Sequence, residues 1–114
     1  MATDPETMAF LLEQMAEAGE VRARRMFGEY AVYLHDKVVG FVCDDRLFLK
    51  RTPGALARVS RAVEGFPYPG AKPHLLIEDE IDAPEALAAL LLAVADDLPA
   101  PRQKNAETPQ DLTR

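Results

Sequence analysis

Apolar and polar residues change their period several times along this chain. Met8, Leu11, Leu12 and Met15 recur at helical spacing and make one apolar stripe. Ahead of them stands Thr3-Asp4-Pro5-Glu6. Thr3 or Asp4 can cap, Pro5 suits a first turn, and Thr3 to Glu6 has capping-box spacing. With Gly19 as a stop, this predicts a helix whose methionine-rich stripe faces the core. The period then shortens to two. Tyr30–Leu34, Val38–Cys43 and Leu47–Lys50 are dense in Val, Phe, Tyr and Leu, separated only by His35-Asp36-Lys37 and Asp44-Asp45-Arg46. Strands joined by such short reversals must pair antiparallel.

Helical spacing returns after Lys50. Thr52-Pro53 repeats the cap-then-proline pattern, Leu56, Val59 and Val63 follow, and Gly65 ends the segment. Phe66–His74 has three prolines and one glycine, which leave room for a brief edge strand and an irregular loop. Leu75–Ile77 is a short strand. Asp82-Ala83-Pro84-Glu85 starts a last helix with Asp82 as cap, and Leu87, Leu90, Leu91, Val94 and Leu98 form its apolar face up to Pro99. The predicted order is α-β-β-β-α-β-β-α, a two-layer α+β domain with an antiparallel sheet over residues 1–98. Residues 99–114 are polar and proline-containing, and read as a disordered tail.

The strand residues are apolar on both faces. Period-two counting puts Tyr30, Val32, Leu34, Val39, Phe41, Cys43 and Phe48 on one face. It puts Ala31, Tyr33, Val38, Gly40, Val42, Leu47 and Leu49 on the other. A sheet covered by helices on one side only should carry polar residues on its second face. A cover is therefore expected there: the Phe66–His74 loop, the tail, a protein partner or a second copy of the chain in a homodimer.

Composition narrows the function classes. A hydrophobic fraction of 48% and a charged fraction of 28% are ordinary for a globular protein. The longest apolar run, Ala86–Ala95, is too short to span a bilayer, and no signal peptide is visible, so a cytoplasmic protein is expected. The net charge of −6 argues against direct nucleic-acid binding. Basic residues do cluster between Arg22 and Arg61, and interleaving with acids on folding is the expected outcome. Cys43, the one cysteine, reads as a small buried hydrophobe. His35 and His74 read as exposed loop residues without metal-ligand spacing. The Glu78–Asp82 run reads as solvated acid, and Ser60 as a helix residue without a catalytic partner. No catalytic group, cofactor or metal is predicted.

A family resemblance rests on Met26-Phe27-Gly28, Tyr30, Tyr33-Leu34, Asp44 and Leu47-Phe48-Leu49-Lys50. These resemble, without a gap, the signature of the N-terminal domain of the TfoX (Sxy) competence-regulator family, approximately MFGGYGLYL-DG-…-DG-LYLK. Phe66, Tyr68 and Gly70 resemble a later part of that pattern, and Pro84-Glu85 its final helix start. The resemblance spans Met8–Leu98 and implies a secretion-chaperone-like α-β(3)-α-β(2)-α fold. Full-length relatives of this kind are regulators of DNA-uptake genes that work with a catabolite-type transcription activator and carry a second, C-terminal domain. Here Glu29 and Ala31 stand where the family has glycines, as do Asp36 and Asp45 in the two turns, where aspartate tolerates left-handed backbone. Gly28 reads as a bulge or turn entering the sheet.

Together these features predict a non-enzymatic bacterial regulatory or protein-interaction domain, linked through the resemblance to transcription or competence regulation. The candidate interaction or ligand residues are Arg24, Arg25, Phe27, Gly28, Tyr30, Tyr33 and Lys50. The alternative is a small-molecule or nucleotide-binding domain, or an enzyme, using the basic residues near Gly28.

Overall fold

The computed structural model describes residues 3–26 and 28–99; the expected tail beyond Pro99 falls outside them. Its first helix, α1 (Pro5–Met15), starts where the sequence places it. The Asp4 carboxylate accepts from Glu6 N at 2.8 Å and so acts as the cap. Thr3 is diverted to another task described below. Met8, Leu11 and Met15 are buried as the stripe requires, and a 3₁₀ turn (Ala16–Ala18) leads to Gly19.

Four strands follow rather than three: β1 (Val21–Met26), β2 (Glu29–Leu34), β3 (Lys37–Cys43) and β4 (Arg46–Lys50). The additional strand, β1, is the arginine-rich segment that carries no strong apolar signal. Val21 and Ala23 pack on the core while Arg22 and Arg24 are exposed. The β2–β3 and β3–β4 turns put His35, Asp36, Asp44 and Asp45 at φ 55, 62, 54 and 63. Two consecutive left-handed residues match the twist of paired strands, so both reversals form without glycine.

The second helix, α2 (Pro53–Arg58), is shorter than its pattern predicts. Thr52 caps it through Ala55 N, but Val59 is already extended. The cause lies in Ser60, whose N and Oγ donate to the Glu80 carboxylate at 2.8 and 3.0 Å and draw the chain off the helix axis. Glu80 is therefore buried rather than solvated. Gly65 does not end a helix; with Glu64 it forms β5 (Glu64–Gly65), the short edge strand expected a little later. Next come β6 (His74–Ile77) and, after a 3₁₀ turn (Asp79–Asp82), α3 (Pro84–Asp97). Asp82 lies inside that turn, so α3 begins on Pro84 without a side-chain cap.

The sheet is antiparallel throughout, in the order β1-β2-β3-β4-β6-β5. All three helices bury their apolar residues on one face of it, giving the two-layer α+β arrangement. That core joins Met8, Leu11 and Met15, Ala55, and Leu87, Leu90, Leu91 and Val94 to Val32, Leu34, Val39, Val42, Leu47 and Leu49. Lys37 secures the far end of α3 by donating to the Ala95 and Leu98 carbonyls at 2.7 and 3.1 Å. No described helix is long and apolar enough to cross a membrane.

The face assignment needs correction. Val32 pairs with Gly40 but Tyr33 with Val38, so Val39 is an extra residue in β3. This bulge resets the alternation. Val39 and Val42 both join the helix-side core, with Tyr30, Val32 and Leu34. Phe41, Cys43 and Phe48 fall on the opposite face with Ala31, Tyr33 and Val38. Gly40 is required at the bulge, because a Cβ there would lie 2.1 Å from the Phe48 carbonyl oxygen.

Candidate functional site

The second sheet face is apolar, and its cover comes from this chain. Phe41, Cys43 and Phe48 are 7%, 6% and 5% exposed. The loop between β5 and β6 crosses in front of them, with Pro67 buried and the Tyr68 ring edge-on to Phe41 at 5.5 Å. Phe66, at 60% exposure, and Tyr68, at 41%, remain on the outside. Between this loop and the β3–β4 end lies an open cleft of about 550 Å³, lined by Cys43, Arg46, Phe48, Phe66, Tyr68 and Gly70 among others.

The predicted site residues divide between the two faces. Arg24 lies beside Tyr33 on the second face, its guanidinium 6.0 Å from the ring centroid, and Arg22 sits at the same distance from that ring. Tyr33 is thus flanked by two cations at the open edge of the sheet. Arg25 and Tyr30 pair on the helix side instead, 5.9 Å apart. Gly28 is exposed in the β1–β2 reversal at φ 81, with open space around it, which supports the turn reading. Phe27 lies outside the described residues. Lys50, half-buried at the end of β4, stands away from all of these and opposite His74. Arg25, Tyr33 and Lys50 therefore enclose no common pocket.

Charge is interleaved in part. Arg22, Arg51 and Arg61 approach Asp36, Glu64 and Asp79 at 2.7, 3.4 and 3.3 Å. Among the described residues no ion pair involves Arg24, Arg25, Lys50 or Lys72. Nor do they contain a group of three His, Cys, Asp or Glu side chains able to hold a metal.

Two features escape the sequence reading. Glu29 accepts from Thr3 N, Thr3 Oγ1 and Asp44 N at 3.0, 2.6 and 2.9 Å, while Thr3 Oγ1 accepts from Asp45 N at 3.2 Å. A glutamate in a family glycine position thus ties the start of α1 to the β3–β4 turn. His74 is no exposed loop residue: it is 7% exposed and begins β6 on the second face. The alternation could have revealed it, since Leu75 and Ile77 facing the core force His74 and Leu76 to the other side. Burial and the nearby Lys50 charge push its imidazole below the usual histidine range, against the smaller upward pull of a hydrogen bond to the Lys72 carbonyl.

The family model of the TfoX N-terminal domain matches residues 13–96. A Spirochaeta aurantia protein, described as an uncharacterized 12.7 kDa protein in the trpE 5' region, is 42% identical over 108 residues. The match covers 95% of this chain and 94% of that relative. No solved structure matches the chain significantly.

Proposed function

Because the chain belongs to the TfoX N-terminal domain family, we propose that it is a non-enzymatic bacterial regulatory domain that works by binding a protein partner in the cytoplasm. The observation that carries this reading is the β1 edge. β1 ends the sheet order, so among the described residues one side of its backbone has no neighbouring strand. Arg22 and Arg24 project beside that edge and flank Tyr33. An open edge offers main-chain hydrogen bonds to an extended segment, and the arginines select acidic side chains on it. The partner is accordingly an acidic, extended stretch of another protein. A link to transcription or competence control follows from the family resemblance, and the β1 edge supplies a surface through which such control can act.

The test is capture from the native cell with the wild-type chain and with Arg22→Glu/Arg24→Glu as baits. The double variant should fold, because the Arg22–Asp36 pair it breaks is exposed on both sides and such pairs contribute little. A partner held by the wild-type chain, released by salt and lost with the variant is the expected result. Equal capture by both baits, or turnover of a metabolite by the purified chain, would overturn the reading.

A further inference from the structure

The β1–β2 hairpin fixes which backbone groups the outer edge of β1 presents. Met26 and Glu29 are register partners with only two residues between them. A pair that closes so short a turn belongs to the ladder only by exchanging both hydrogen bonds itself. Bonded and non-bonded pairs then alternate down the hairpin. Arg24, opposite Ala31, and Arg22, opposite Tyr33, therefore turn their N–H and C=O groups toward β2. Val21, Ala23 and Arg25 turn theirs outward. Among the described residues no backbone hydrogen bond from outside the hairpin reaches those outward groups. They form a template for main-chain pairing.

The same alternation sorts the side chains. Arg22 and Arg24 stand on the second face beside Tyr33, while Val21 and Ala23 pack on the helix-side core. A strand added to this edge continues both faces. We propose that the occupant is an antiparallel strand of a partner protein with the pattern acid-apolar-acid-apolar. Antiparallel pairing is the more stable per residue and continues the sheet as it is built. The partner's apolar residues lie opposite Val21 and Ala23 and extend the core, and its acids lie opposite Arg22 and Arg24. The residue opposite Ala23 exchanges both hydrogen bonds with it. Arg24 has no ion pair among the described residues, whereas Arg22 is already held by Asp36 at 2.7 Å. The acid opposite Arg24 therefore contributes more. A second copy of this chain is the wrong occupant. Two β1 strands paired antiparallel about a two-fold axis at Ala23 would set Arg22 of one copy opposite Arg24 of the other, and like charges directly opposite destabilise a strand pair. This pattern rests on the reading of the β1 edge as the partner surface, and it can fail while that reading stands.

The probe is the acetylated and amidated peptide Thr-Glu-Val-Glu-Val-Thr, titrated against the full chain by amide NMR. Its isomer Thr-Glu-Glu-Val-Val-Thr has the same composition but cannot place both acids on one face. The alternating peptide should bind several-fold more tightly than the isomer, and N-methylation of its first valine should abolish binding. In the free chain the Val21, Ala23 and Arg25 amides should exchange faster than those of Arg22 and Arg24, and the peptide should protect the first set. Arg24→Gln should weaken binding more than Arg22→Gln. Ala23→Pro should fold, because proline is tolerated where an edge N–H faces outward, and should lose the peptide; an amide spectrum confirms its fold. If that variant does not fold, the N-methylated peptide and the exchange pattern decide the matter. Equal affinity for the two isomers, both lost with Arg22→Glu/Arg24→Glu, would keep an acidic partner at this edge and overturn the alternating pattern. Undiminished binding of the N-methylated peptide would overturn strand addition, and so would the absence of saturable shifts with millimolar peptide. Peptide binding indifferent to Arg22→Glu/Arg24→Glu would overturn the reading of the edge itself.

Discussion

Cys43 shows how its neighbours set the chemistry of one residue. It ends β3 on the second face, under the loop that carries Tyr68, and is 6% exposed. Burial, and then the charges of Glu29 and Asp44, push its thiol from the ordinary value of 9.0 up to about 11. The thiolate is the reactive species, so the native chain should be alkylated slowly at pH 8 and quickly in urea. The same shift has a stability consequence. In the unfolded chain the thiol ionises near pH 9, whereas in the fold it stays protonated until about pH 11. Its contribution is therefore intact below pH 9 and is lost as pH rises through 11. Urea titrations of the wild-type chain and of Cys43→Ala across that window should converge as pH rises. Fast alkylation of the native chain at pH 8 would show that the loop does not shield the thiol.

The elements that could be read from the sequence are those in which one local rule decides the outcome. The α1 stripe and the β2–β4 strands each repeat a single period over enough residues to fix their type. Elements governed by distant partners could not be read. β1 is an edge strand, so it needs only Val21 and Ala23 inward, and its arginines mask that weak alternation. α2 stops early because Ser60 is held by Glu80, twenty residues away in sequence. The sheet faces were mis-phased because the Val39 bulge shifts alternation without any local sign beyond Gly40. The candidate site suffered the same way: Arg24 and Tyr33 meet as neighbours across β1 and β2, but Lys50 and His74 become partners only once β4 pairs with β6. Glu29 is a further distant partner. It joins β2 to the start of α1 and to the β3–β4 turn through three hydrogen bonds to one carboxylate. Hydrogen bonds to charged groups contribute more than neutral ones, so Glu29→Ala should cost about 1–3 kcal/mol in urea unfolding. Amide exchange should quicken at Asp44 while α3 is unaffected. A loss within experimental error would mean that water replaces the carboxylate at no cost.

At the scale of the whole molecule, the apolar second face raises the question of what associates with it. The expectation of a homodimer arises from a sheet apolar on both sides. In the folded chain Phe41, Cys43 and Phe48 are already buried under the β5–β6 loop, so burying them again in a dimer would gain almost nothing. A dimer through this face now has to form on the outside of the loop, around Phe66 and Tyr68. Those two side chains make a small patch, well short of what a stable interface buries. We therefore propose that any homodimer through this face is weak. Light scattering should return the monomer mass at micromolar concentration, with association only toward millimolar. Phe66→Ala/Tyr68→Ala should abolish that residual association and leave the melting temperature nearly unchanged, since both side chains are exposed. A dimer that persists at micromolar concentration in the double variant would place the interface on another surface, with β1, the end strand of the described sheet, the first to examine.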